Sequence, residues 1–162
     1  MFNTPSEHEK NDGFHARHDP IMDDVDQAYG LIARSGYDDD PGPDSWGEQV
    51  YPSMYVDNGD GWAPSTLSVW QDLEAMVAFT FSGRHAEALA KGADWFQRGQ
   101  WPPLVLWWIE DGIYPTWQDG VSRYEHLHEH GPTPHAFSAK QAFHWTGTVL
   151  KLDKAKVKDI MQ

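Results

Sequence analysis

His85 is the residue whose placement points most directly at chemistry. It follows Ser82-Gly83-Arg84 and opens a helical run. A helix start favours the neutral imidazole, the form that acts as a base or a ligand. We therefore take His85 as the candidate catalytic residue, facing a pocket. The other reading is a histidine that hydrogen-bonds the break between two helices and fixes its geometry. Trp70, Trp95, Trp107 and Trp108, with Phe79 and Phe81, could wall an apolar pocket for a flat ligand. The same rings could be plain core, because burying them is favourable on its own.

The run His126-x-His128-x-His130 suggests a metal, with His135 close by. On a helix, however, neighbours two apart point away from each other. Only His126 and His130 share a face, and a third ligand would have to come from elsewhere. Histidines at a helix C-terminus also complement the helix dipole. The expectation is no metal. Asp38-Asp39-Asp40 with Asp44 lacks the ligand spacing and distal Glu of a calcium loop, so it reads as a solvated run. The chain has no GxGxxG, Walker, GxSxG, HExxH or CxxC motif, which leaves nucleotide cofactors and serine hydrolysis without support.

Composition narrows the classes further. The chain has 162 residues, enough for one domain with tails. Its 9 Trp, 7 Phe and 6 Tyr argue against disorder. The absence of Cys excludes disulfides, thiolate metal sites and cysteine nucleophiles. Net charge is −13, concentrated in residues 1–60, where 14 Asp/Glu face 3 Lys/Arg. Nucleic acid and anionic membrane surfaces are therefore not expected as partners. No apolar run approaches the roughly 20 residues of a membrane span. The polar N-terminus shows no signal peptide, so a cytoplasmic protein is expected.

The elements that must position these residues follow from local signals. Residues 1–18 are expected to be a polar segment with a short first strand near Phe2-Asn3-Thr4. Asp19-Pro20 reads as an N-cap and first helical position, opening a helix from Ile21 to Arg34 that Gly36 ends. Tyr37 to Gly47 is a long loop with aromatic ends, and Trp46 is placed at the substrate site as part of a lid. Gln49–Val56 and Thr66–Trp70 are expected strands around the turn Asp57-Asn58-Gly59-Asp60-Gly61. Helices follow over Gln71–Phe81 and Arg84–Phe96. Leu104–Ile109 is an expected buried strand, because its apolarity is unbroken. Thr116–His130 is a helix with Thr116 as N-cap and Asp119 at N3. Gln141–Trp145 is an expected strand, and Lys151–Gln162 a Lys-rich tail with a short helix.

This order gives one α+β domain over residues 19–146, flanked by the 1–18 segment and a 147–162 tail. The expected fold is a ferredoxin-like antiparallel sheet with helices on one face. Trp107 and Trp108 point to opposite faces of their strand, so the bare face needs a cover. A second copy of the chain supplies it, and a homodimer is expected.

The block SVWQDLEAMVAFTFSGRHAEALAKGADWF (68–96), with PPLVLWW (102–108) and HGPTPHAF (130–137), resembles the domain-of-unknown-function 3291 family. That family is similar to the dimeric α/β-barrel superfamily, which includes the antibiotic-biosynthesis monooxygenases. The resemblance spans about residues 20 to 146. It implies two ferredoxin-like protomers whose sheets close a barrel, each with a pocket between sheet and helices. It also implies a small apolar or aromatic ligand and, for an enzyme, cofactor-independent monooxygenase-like oxidation. In that reading His85 is the base. Trp70, Phe81, Trp95, Trp108 and Trp46 bind substrate, and Arg84 or Asn58 stabilises charge. The alternative is a non-catalytic ligand or haem carrier. The haem-ligand position of haem-degrading relatives falls near Ala88–Ala90, away from His85, so no cofactor is expected.

Overall fold

The computed structural model describes residues 1–38, 40–99 and 101–162. Asp39, within the acidic run weighed for calcium, lies outside them. The fold is α+β, with five α-helices and two small antiparallel sheets among the described residues.

Helix α1 (Asp12–Asp26) follows a 3-10 turn at Glu9–Asn11. It starts seven residues before the expected Asp19 cap, and Pro20 lies inside it. Its first half is mostly polar, with Phe14 the one large apolar residue and no apolar stripe, so local spacing favours the later start at Asp19-Pro20. The expected helix also runs too far. Leu31–Arg34 leaves α1 and forms strand β1, which pairs antiparallel with β2 (Ser68–Trp70) through Leu31–Trp70 and Arg34–Ser68. Gly30 makes the change of direction with φ +76°, and its carbonyl accepts from the Gln71 N–H at 2.7 Å. Sheet pairing between distant segments decides this stretch, and helical spacing cannot register it.

Helix α2 (Leu73–Thr80) begins at Asp72, whose side chain accepts from Ala75 N–H. Gly83, with φ +50°, separates α2 from α3 (Gly83–Trp95). Helix α4 (Trp117–His130) has the expected Thr116–Asp119 capping box and ends at Gly131, φ +73°. Strands β3 (Ala142–Phe143) and β4 (Val149–Leu150) form the second sheet, and the tail forms α5 (Lys154–Ile160).

Three expected strands differ. Residues 49–56 form no strand, and β2 takes β1 as its partner instead. Residues 104–109 are half-buried and make one ladder contact, an antiparallel bridge between Leu106 and Phe137. The expected first strand is reduced to a bridge between Phe2 and Phe96.

The core is built on α2. Leu73, Met76 and Val77 pack with Phe137 and Ala142, and Trp70, Trp108, Leu150, Leu152 and Val157 close around them. Each large side chain buried there contributes about 1.5–3 kcal/mol. A second aromatic cluster joins Phe2, Phe14, Trp95 and Phe96 at the far end of α3.

Candidate functional site

A pocket of about 300 Å³ lies where α1, α2, the start of α3 and the end of α5 meet. Tyr29, Ala75, Ala78 and Phe79 give it apolar surface, and Asp24, Ser82, Arg84 and His85 give it polar groups. The sharp turn at Gly83 is what brings Arg84 and His85 onto the face of α2 that carries Phe79.

The position of His85 is fixed on two sides. Its Nδ1–H donates to the Thr80 carbonyl at 2.9 Å, across the helix break. A carbonyl only accepts, so Nδ1 carries a proton, and in the neutral ring the lone pair is therefore on Nε2. The ring also packs on Phe79 at 5.1 Å between centroids. This is the second of the two expected arrangements: the histidine bridges the break between the helices, and that bond fixes its tautomer. Arg84 sits on the exposed rim and donates to Asp24 Oδ1 at 2.8 Å and to the Pro20 carbonyl at 3.2 Å. Beyond Arg84 a second hollow, about 400 Å³, runs between α1 and α3 past Ala16, Arg17 and Glu87.

Helix α5 closes the other side. Ile160 lines the pocket, and two polar links hold α5 on the start of α2. Lys156 Nζ lies 2.6 Å from Asp72 Oδ2, and Asp153 N–H donates to Glu74 Oε1 at 2.9 Å. Burial pushes the Asp72 carboxyl up, but the hydrogen bonds from Lys156 and Ala75 outweigh it and leave the carboxyl below its ordinary range. Lys156 is correspondingly raised, first by its hydrogen bond to Asp72.

The expected site residues separate. His85 and Arg84 line the pocket. Trp70 stands one ring behind it, 5.5 Å from Phe79, with its indole N–H on Ser68 Oγ. Phe81 points outward and is 58% exposed. Trp95 is 4% exposed and belongs to the far aromatic cluster, where it packs on Phe14. Trp108 is part of the core, its indole N–H bonded to the Phe143 carbonyl at 2.6 Å. Trp46 stacks on Tyr114 at 4.9 Å and does not line the pocket. Tyr37, at the other end of that loop, stacks on Trp117. Asn58 donates to the Thr4 carbonyl and ties down the N-terminal segment. Aromatic type alone could not tell these clusters apart.

Several lining residues escaped the sequence reading, among them Ala75 and Ala78 of α2. Asp24 and Ala28 come from α1 and its end, Tyr29 from the turn before β1, and Ile160 from the tail. The alternation of Lys and apolar residues in 151–162 was a signal for Ile160. Tyr29 carried none beyond its neighbour Gly30.

The histidine run also divides by face. His126 and His130 stack at 4.4 Å with His135 edge-on at 4.8 Å, and His128 packs on Trp101 instead. Among the described residues no group of three or more His, Asp or Glu is arranged to hold a metal ion. No helix among them is long and apolar enough to cross a membrane.

No curated protein and no solved structure matches this chain. The family model for the domain of unknown function DUF3291 matches residues 1–151, which takes in the α1 segment, the pocket turn at Ser82–His85 and the Gly131–Phe137 turn alike. The chain therefore belongs to the DUF3291 family.

Proposed function

We propose that this protein binds a small apolar or aromatic molecule in the pocket beside Phe79 and His85, and that it works as a homodimer of the dimeric α/β-barrel kind with ferredoxin-like protomers. The observation that carries the binding site is His85 itself. Its Nδ1–H is committed to Thr80, its Nε2 has no hydrogen-bond partner among the described residues, and its ring abuts an apolar wall. A base so placed suits cofactor-independent monooxygenase-like chemistry. Nε2 takes a proton from an electron-rich substrate, and the substrate anion passes electrons to O2. Phe79 and Tyr29 would flank the substrate ring, with Arg84 at the rim.

The dimer reading rests on unsatisfied surface. Two-stranded sheets are marginal alone. Residues 104–109 are apolar yet have one bridge, while Ile32 and Phe81 are 56% and 58% exposed. A second copy would cover such surface.

Native mass spectrometry of protein purified without added ligand, with a visible absorption spectrum, tests this reading. A dimer carrying a small co-purified mass, lost in His85→Ala, is the expected result. A Soret band would replace it with the haem carrier. A bare monomer that keeps no ligand would refute both the site and the assembly.

A further inference from the structure

The three clustered imidazoles lie outside the pocket, and their contacts form a latch. His126 Nε2 meets Thr133 Oγ1 at 3.1 Å. The same hydroxyl oxygen accepts from the backbone N–H of His135 and of Ala136. Arg123, one turn before His126, donates to the His135 carbonyl and, at 3.1 Å, to His135 Nδ1. These bonds tie the C-terminal half of α4 to the 131–137 turn. That turn delivers Ala136 (0% exposed) and Phe137 (2%) to the core and holds Leu106 in its bridge.

The chemistry of the latch requires neutral rings. A guanidinium only donates, so His135 Nδ1 is unprotonated while Arg123 holds it. Protonating Nδ1 breaks that bond and sets two cations together. Thr133 Oγ1 already accepts two backbone N–H groups, so its own O–H donates to His126 Nε2, and a proton on that nitrogen removes the acceptor. Among the described residues compensation comes from the charge of Asp119, one turn before Arg123, which forms no ion pair with it. Among the described residues no carboxylate forms an ion pair with Arg123 or with any of the three rings. On α4 itself, Asp119 is engaged by Thr116 and Glu125 by Ser53 N–H, Glu129 is exposed, and His128 lies on Trp101. The neighbouring segments offer Trp107, over which Arg123 lies at 5.9 Å, and the Pro102 carbonyl, taken by Tyr124; neither titrates.

We propose that His126 and His135 with Arg123 form an acid-sensitive latch that releases the 131–137 turn from α4 when the rings protonate. The direction of titration agrees. Burial, then Arg123 and His126, hold the His135 imidazole below its ordinary value. The closed turn is thus fully favoured above the ordinary imidazole value of about 6.5, and that preference is lost as pH falls from there toward the closed-state value.

Hydrogen exchange on the intact chain reads this directly. Protection of peptides covering 131–140 is compared with peptides covering 73–80, corrected for intrinsic rates, at about pH 7.5 and about pH 5. The ratio is expected to fall several-fold, in the direction set by the lowered His135 value. In a His126→Gln/His135→Gln variant it should not change with pH. An unchanged ratio in the native chain, or the same fall in the variant, overturns the latch. Should the variant not fold, an NMR titration of the native histidines decides. Coupled ring titrations that perturb the Ala136 and Phe137 amides are expected, and independent titrations that leave those amides still would refute it.

Discussion

Replacing Asp72 with Ala tests whether one carboxylate both starts α2 and docks the tail. Asp72 has φ −161° and ψ 175°, accepts from Ala75 N–H at 2.9 Å, and meets Lys156 Nζ at 2.6 Å. Loss of an N-cap carboxylate costs about 1 kcal/mol, with a range of roughly 0.5–2. In a chain of this length that lowers Tm by about 2–4 °C per kcal/mol. Urea unfolding monitored by tryptophan fluorescence measures it, with an unchanged m value. Asp72→Asn keeps the cap and removes the charge, so it should cost less than Asp72→Ala. Lys156→Ala should also cost less, because the lysine is a surface partner. The folded carboxyl is held below its ordinary value, so its contribution is complete above about pH 4 and disappears as pH falls through the folded value. The advantage of the native chain over Asp72→Asn should vanish across that window. If Asn proved as costly as Ala, the helix cap would not be the source of the stability and the reasoning would fail.

Three further outcomes follow from named contacts. Gly30→Ala should destabilise by roughly 2–4 kcal/mol, since φ is +76° and the new Cβ would lie 2.6 Å from Ala75 Cβ. The same substitution measured in an Ala75→Gly background should cost less, because only the backbone strain remains; an equal cost in both backgrounds would rule out the clash. Thr116→Ala should cost about 1 kcal/mol by chemical denaturation, through loss of the capping box. Phe137→Ala should cost about 3–5 kcal/mol, and a loss below about 2 would show that Phe137 is not a core anchor.

What the sequence reveals about this fold depends on how local each signal is. Thr116, Asp119 and Gly131 bound α4 by bonds to their own neighbours, so that helix was legible to within a residue. Ser82-Gly83 marked the α2–α3 break for the same reason, and the alternating tail revealed α5. Leu31–Arg34 was not legible as a strand, because its character comes from Ser68–Trp70, more than thirty residues away. Leu104–Ile109 reads as a central strand by apolarity, but a strand also needs neighbours. Among the described residues of one chain it finds only Phe137.

The candidate site divides along the same line. His85 and Arg84 were legible because a turn of four residues fixes where they point. Trp46, Trp95 and Trp108 were not, because each ring's destination is set by a partner far along the chain: Tyr114, Phe14 and Phe143. Their types report that they will be covered, and say nothing of which cluster covers them. The pocket wall was hardest of all, since Ile160 reaches it only after Lys156 and Asp153 have docked α5 on the start of α2. That docking makes the tail part of the site. Ile160 thus lines the candidate pocket from a helix that Lys156 and Asp153 tie to Asp72 and Glu74, so the carboxylate that caps α2 also holds one wall of that pocket.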